Sequence, residues 1–324
     1  MKSFVFAATL GVASALHASE IQYMNYLAKF GKIMETIEEF DERLENFIKT
    51  DKLIDMINEH QNSWVAGHNQ FSDWHEHEYK GMLGYIAADE NAPITLFSED
   101  NTPDSVNWVD GGAVTPVKDQ GQCGSCWSFS TTGSMEGAHF KATGKLESFS
   151  EQQLVDCAKG IYLNMGCNGG NPLWAFRYLK SHYMELESEY PYFSGTTKSG
   201  GTCQYKEKSK TSVEVQSDGA VTPKNVAQMK AALAVQPISV LVEADKSVFQ
   251  TYKSGVLNSS ACGTQLDHAV LAVGYGSEGG QEYWLVKNSW NTTWGDQGYI
   301  KLAITGDDAG TCGVQSGPTH ATTN

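Results

Sequence analysis

Seven cysteines, all lying between Cys123 and Cys312, constrain this chain more than any other feature. An odd number in a chain able to form disulfides predicts three bridges and one free thiol. Six pairing cysteines admit about fifteen connectivities, and the sequence alone does not choose among them. The surroundings of one cysteine single it out. In Gln120-Gly-Gln-Cys123-Gly-Ser-Cys126-Trp127 the second cysteine precedes a run to His139 whose apolar residues recur at roughly helical spacing. A cysteine on the first turn of a helix meets the partial positive charge of unpaired N–H groups, which stabilises a thiolate. Its own N–H can bind the oxyanion of a carbonyl under attack, and the amide of Gln120 offers a second donor.

Most cysteines in such a chain are disulfide partners, so Cys126 needs support from elsewhere. A nucleophilic cysteine requires a base and an orienting group brought in by the fold. Leu266-Asp267-His268-Ala269-Val270 supplies a histidine 142 residues after Cys126, and Asn288-Ser289-Trp290 follows 20 residues later. Among nine histidines, His268 is preferred because a buried-type strand begins just after it. The octapeptide and these two partners, in order and at spacing, closely resemble the papain-like cysteine proteases. The resemblance runs from about residue 20 to the end of the chain.

The resemblance implies an α+β, papain-like fold of two lobes, one helical and one an antiparallel, barrel-like β lobe, with Cys126 and His268 facing each other across a cleft. It implies a Cys126 thiolate and His268 imidazolium pair, Asn288 orienting the ring under the shield of Trp290, and Gln120 in the oxyanion hole. In papain the paired cysteine has a pKa of about 3–4 against about 8.5 for a free thiol. Disulfides Cys123–Cys167, Cys157–Cys203 and Cys262–Cys312 follow from the same source. So do substrate-binding residues: Gly169 and Gly170 as a glycine wall, Asn171, Pro172, Leu241 and Leu266 around an apolar pocket with Gly317 near its base, and Asp267 and Trp290 beside His268. Leu241, where relatives often carry a smaller residue, is expected to shorten the pocket and favour Leu or Val over a ring. No inserted His-rich loop like that of cathepsin B is present, which favours an endopeptidase.

The segment before the first cysteine has a helical pattern. Glu39, Arg43, Phe47, Ile54 and Asn58 recur at intervals that share one helical face. They resemble the ERFNIN motif of cathepsin L-type propeptides, with Thr50 where that motif has its first Asn. Gly67-His-Asn69-Gln-Phe71-Ser-Asp73 resembles the GxNxFxD motif that follows. An inhibitory propeptide over 19–101 is expected, its aperiodic stretch from about Gly84 to Thr102 crossing the active site, and a peptidase domain over 102–324. Within that domain Ser150 reads as a helix N-cap, and strands are expected at Ile238–Glu243, Ala269–Tyr275, Tyr283–Lys287 and Gly298–Leu302.

Residues 1–18, with Lys2, an uncharged stretch and small residues near Ala15, read as a secretory signal peptide too short to span a bilayer. Its entry into the secretory pathway would permit disulfides and points to a lysosome, a digestive vacuole or secretion. A net charge of −15 disfavours nucleic-acid partners. The expected partners are protein and peptide substrates and the chain's own propeptide, the mature enzyme being monomeric. No cofactor or metal is expected: the histidines lack ligand spacing, and Cys123-Gly-Ser-Cys126 has no second CxxC to complete a tetrahedron and no βαβ context for redox use. Asn258-Ser-Ser and Asn291-Thr-Thr are glycosylation sequons. Two other classes compete: a non-catalytic peptide binder using the same cleft, which the intact Cys126, His268, Asn288 and Gln120 oppose, and a disulfide scaffold, which the odd, helix-opening cysteine opposes.

Overall fold

The computed structural model describes residues 18–88, 92–206 and 211–324. Apart from Ala18, the signal peptide expected over 1–18 lies outside the described residues. Helix α1 covers residues 18–30. Helix α2 runs Ile37–His60, opened by Thr36, whose hydroxyl accepts from the Glu39 N–H. The two meet through Tyr23, Tyr26, Leu44 and Phe47. Asn58 then fixes the chain leaving α2, donating to the Ala66 carbonyl and accepting from its N–H. Strand β1 (Trp64–Ala66) and helix α3 (Glu76–Lys80) complete this N-terminal part.

The helical lobe is built on α4 (Cys126–Thr143), which is buried on every face from Cys126 to His139. A helix so rich in Ser, Thr and Gly tolerates this because its hydroxyls return to backbone carbonyls, Thr131 to Trp127 and Ser128 to Ser125. Ser130 reaches across to the Val270 carbonyl at 2.7 Å. Helices α5 (Glu151–Cys157) and α6 (Pro172–Leu179) start at the side-chain caps Ser150 and Asn171, and α7 (Ser194–Thr197) is a single turn. Trp127, Leu154, Phe176 and Leu179 centre this lobe's core.

The strand-rich lobe is one sheet that also takes in N-terminal residues. Besides β1 it contains β2 (Ile94–Thr95), β3 (Val106–Asn107), β4 (Val215–Val221), β5 (Ile238–Val242), β6 (Tyr252–Leu257), β7 (His268–Glu278), β8 (Gln281–Lys287), β9 (Tyr299–Ala303) and β10 (Thr319–Thr323), with α8 (Val226–Val235) and α9 (Ser247–Gln250) between strands. The order is β1-β6-β9-β8-β7-β5-β10-β4-β2, and β3 pairs with β7. This is the α+β arrangement expected. Among the described residues, however, no pairing joins the two ends of the sheet, and β6–β9 and β2–β4 run parallel. The barrel-like lobe is thus an open, mixed sheet. The β7–β8 hairpin turns at Gly279 and Gly280, both at positive φ, as the glycines there demand.

The disulfides are Cys123–Cys167, Cys157–Cys203 and Cys262–Cys312, and Cys126 is the free thiol. No described helix is long and apolar enough to cross a membrane.

Candidate active site

Cys126 is the first residue of α4 and wholly buried. His268 opens β7 and Asn288 follows β8, so the pairing of these two strands delivers both side chains to one place. His268 Nε2 lies 2.9 Å from Asn288 Oδ1, which also accepts from the Ser289 N–H at 2.8 Å. A backbone donor on that atom identifies it as the oxygen, so Nε2 carries the proton. The buried Nδ1 is left without a hydrogen-bond partner. Trp290 stacks on the imidazole with ring centroids 4.6 Å apart and covers the Asn288 bond.

Gln120 is oriented from behind. Its Oε1 accepts from Ser289 Oγ at 2.7 Å and Trp290 Nε1 at 3.1 Å, which turns the amide N–H groups forward. They donate at 2.8 Å to the Cys123 carbonyl and at 2.8 Å to the carbonyl of Met82. An N-terminal carbonyl therefore occupies the donor that the sequence reading assigned to an oxyanion. The next residues continue through the cleft. A Cβ on Gly84 would collide with the Gly124 carbonyl oxygen, so only glycine fits this crossing. Gly170 N–H donates to Gly84 O, Ile86 N–H donates to Gly170 O, and Tyr85 N–H donates to Asp267 O. Tyr85 and Gly170 thereby form a parallel bridge. The glycine wall holds an extended strand, and Gly169, at φ +111°, lies against Gly84 and Ile86.

Tyr85 packs with Leu266 against Cys126, Leu241 and Ala269. Leu241 leans over Gly317, where a Cβ would lie 2.8 Å from its methyl group. Leu241 thus comes close to Gly317, as a residue that narrows the pocket would, and Tyr85 packs beside it. Asn171 donates to the Ile86 carbonyl at 2.9 Å while its Oδ1 caps α6, and Pro172 opens that helix and is buried. Asp267 accepts from the N–H groups of Ala244 and Asp245. Burial, with Asp245 and Glu243 nearby, raises its carboxyl to about 6.

Burial shifts both protonation equilibria in the covered chain. Burial pushes the Cys126 thiol up to about 11, against backbone hydrogen bonds at Ala269 and Gly84, and pushes His268 down to about 4 against its bond to Asn288. In this covered state both shifts oppose a thiolate–imidazolium pair.

The rest of the N-terminal part clamps the cover down. β1 pairs antiparallel with β6. Asn69 donates to the Gln250 carbonyl at 2.7 Å, and Tyr79 to that of Ala244 at 2.7 Å. Phe71 and Tyr79 meet Trp290 edge-on at 5.4 and 5.5 Å. Asp73, fully buried, accepts from Tyr23 and Tyr26 and pairs with Lys32. Arg43 pairs with Glu39 and makes a two-pronged contact, both at 3.0 Å, with Glu78. Met82, Tyr85, Glu78, Tyr23, Tyr26 and Lys32 were not foreseen. Only Glu78, three residues after His75 at a capping-box spacing, left a trace in the sequence. Among the described residues, no group of three or more His, Cys, Asp or Glu is placed to hold a metal.

Residues 102–322 match the papain family of cysteine proteases, and residues 23–79 match the cathepsin propeptide inhibitor domain. The chain is 41% identical over 317 residues to digestive cysteine proteinase 1 of Homarus americanus, covering 95% of this chain and 96% of the relative. It is 42% identical over 295 residues to a cathepsin L-like peptidase of Aedes aegypti, covering 89% and 83%. Among solved structures, the recombinant stem bromelain precursor superposes with a TM-score of 0.85 at 34% identity, over 94% of this chain and 99% of the other. Digestive procathepsin L 3 of Tenebrio molitor gives 0.83 at 30% identity, over 94% and 99%.

Proposed function

The chain belongs to the papain family of cysteine proteases, cathepsin L-like in type and carrying its own propeptide inhibitor domain, and from that premise we propose that it is an endopeptidase whose nucleophile is Cys126, made as a self-inhibited zymogen that acid activates. The observation that carries this reading is the Met82 carbonyl on the Gln120 amide, directly over a buried free thiol. That is the place a substrate carbonyl would take, filled by the chain itself.

With residues 82–86 gone, water and substrate reach the site and the burial that neutralised Cys126 and His268 is relieved. The proton of Cys126 then passes to His268, and the helix amino terminus favours the thiolate. Sulfur attacks the peptide carbonyl, and the oxyanion is held by the Gln120 amide and the Cys126 N–H. The C–N bond breaks as His268 gives its proton to the leaving amine. His268 next takes a proton from water, whose oxygen attacks the thioester and releases the acid. Asn288 keeps the ring aimed throughout. The acyl half of the substrate pairs with Gly170, and its side chain enters the pocket of Leu241, Leu266, Asn171 and Gly317, a reading supported by the packing of Tyr85 beside Leu241 and Leu266. Leu or Val is the expected choice there over a ring, and Arg the poorest, since none of these four residues is an acid that could pair it.

The propeptide is assigned to 19–101 and the enzyme to 102–324, following a signal peptide over 1–18. A lysosomal, digestive or secreted location fits an acid-activated enzyme with three disulfides. The test is acid incubation of the full chain with peptide turnover followed alongside amino-terminal sequencing. Turnover that grows with cleavage near residue 101 supports the reading, and cleavage without turnover refutes it.

A further inference from the structure

The turn joining Trp290 to Trp294, on the cleft rim, carries an acceptor for covalent modification, the sequon Asn291-Thr292-Thr293. Building on the protease and secretory readings above, we propose that Asn291 bears an N-linked glycan that screens the leaving-group side of the cleft from large substrates.

Asn291, Thr292 and Thr293 are all exposed, while the tryptophans on either side are buried and lie 5.2 Å apart edge to face. The tip of the turn is thus held outward on a fixed base, with Asn291 at φ +62°. Asn291 Oδ1 accepts from the Thr292 N–H at 2.6 Å and its hydroxyl at 3.2 Å. Nδ2, the atom a glycan would join, lies 3.4 Å from the carboxylate of Asp119, itself exposed. A glycosylated amide keeps one N–H, so neither contact need be lost. Asn-x-Thr on an exposed turn is the chemistry of an oligosaccharide acceptor.

The path of the propeptide locates this turn on the cleft. Gln70 straddles it, donating to the Trp290 carbonyl at 2.6 Å and accepting from Thr293 Oγ1 at 2.9 Å. Met82 then lies on Gln120, and Tyr85 and Ile86 lie on Gly170. Followed in order, the chain meets Asn291's turn, then the site of Cys126, then the glycine wall. The turn and Gly170 therefore flank the nucleophile on opposite sides. With the acyl half on Gly170, the leaving amine departs past Trp290 and Asn291. A glycan there would obstruct a folded protein that extends beyond the leaving group, and would not touch a peptide that ends at it. Gln70 grips Trp290 and Thr293 and leaves Asn291 free, so the zymogen can carry the same glycan. The second sequon serves as an internal comparison, because Asn258 follows β6, bonds Gln281 and lines a groove with His60, Gln61 and Trp64 instead of with the residues around Cys126.

The full chain is expressed through a eukaryotic secretory pathway and mapped by mass spectrometry after peptide N-glycosidase, which leaves Asp at each modified Asn. Wild type, Asn291→Gly (glycine suits the positive φ) and Asn258→Gln are then acid-activated. Each is compared on a folded protein and on a short peptide with a small fluorescent leaving group, with enzymatically deglycosylated wild type alongside. The expected result is Asp at 291, and several-fold faster cleavage of the folded protein by N291G and by deglycosylated wild type. Short-peptide kcat/KM is unchanged, and N258Q behaves as wild type. An unmodified Asn291 in a secreted, fully disulfide-bonded chain overturns the proposal, whether or not Asn258 is modified. So does a modified Asn291 whose removal changes neither rate. Loss of turnover on both substrates in wild type would instead overturn the protease reading and the proposal with it, and the glycan map separates that outcome from the others.

Discussion

A thiol at about 11 and an imidazole at about 4 are both uncharged over most of the pH range between, so beneath the propeptide Cys126 and His268 rest as a neutral pair. Reactivity at this site is therefore a property of the uncovered enzyme. Cys126→Ser should abolish turnover in acid-treated protein while leaving all three disulfides and the melting temperature intact, because Cys126 pairs with no other cysteine. Retained activity above roughly a thousandth of wild type would contradict its role, since what survives loss of a nucleophile comes from binding and the oxyanion hole. Gln120→Ala removes a donor aimed at the oxyanion and should lower kcat by roughly 100- to 1000-fold with little change in KM. Steady-state kinetics on the mature enzyme would show this, and a pure KM effect would reassign Gln120 to ground-state binding. Cys126, His268, Asn288 and Gln120 could be named as candidates from the sequence because the proposed chemistry needs particular residue types at particular places. Tyr85 and Met82 could not, since one contributes a shape and the other a carbonyl that any residue could supply. Leu241 was named as a pocket residue from the sequence, but its approach to Gly317, 76 residues later and just before β10, is a tertiary contact that no local pattern announces.

Among the elements, α3 is short and exposed at its ends, yet it holds the propeptide fold to α2 through Arg43 and Glu78. Burial alone would raise the Glu78 carboxyl. Hydrogen bonds from Arg43 and the His75 N–H outweigh it and hold the group below the ordinary glutamate value. A depressed folded value means stabilisation that is complete above the unfolded pKa of about 4.3 and fades as pH falls through the folded one. Acid should therefore loosen this joint while neutral pH keeps it. A hydrogen-bonded charge pair of ~1.5–3 kcal/mol corresponds to a tenfold to hundredfold change. Glu78→Gln should hasten self-activation at pH 7 by about that much and flatten its dependence on pH. Equal activation rates for wild type and variant across pH 4 to 7 would remove Glu78 from the mechanism. The elements themselves were legible unevenly. α2, α4, β5, β7, β8 and β9 announce themselves by periodicity or by β-branched and aromatic runs. β4, β6 and β10 do not: Val215–Val221 contains Asp218-Gly219, Tyr252–Leu257 contains Gly255 at φ +83°, and Thr319–Thr323 is mostly polar. Their pairing partners supply the order that their own residues lack.

At the scale of the whole molecule, propeptide and enzyme share one core. Ile54, Trp64, Phe71, Tyr79 and Met82 from the first belong to the same buried cluster as Phe249, Trp290 and Trp294 from the second. Inhibition thus draws on the packing that also shields the His268–Asn288 bond. Phe71→Ala removes an aromatic side chain of the kind whose loss costs ~3–5 kcal/mol in a core. The zymogen should then melt earlier and show activity at pH 7 before any cleavage, which differential scanning calorimetry and a peptide assay would detect. A variant as silent and as stable as wild type would mean the shared core is not what restrains the enzyme. On the proposed mechanism, uncovering converts a neutral, buried thiol into a thiolate paired with His268. The most direct measurement is the pH dependence of Cys126 alkylation by iodoacetamide, before and after propeptide removal, with the label quantified by mass spectrometry. That mechanism predicts a barely reactive intact chain and a mature enzyme that is alkylated readily at pH 5, with a rate nearly level up to pH 8. A mature rate that instead climbs about tenfold per pH unit over that range, as for a free thiol of pKa about 8.5, would contradict it.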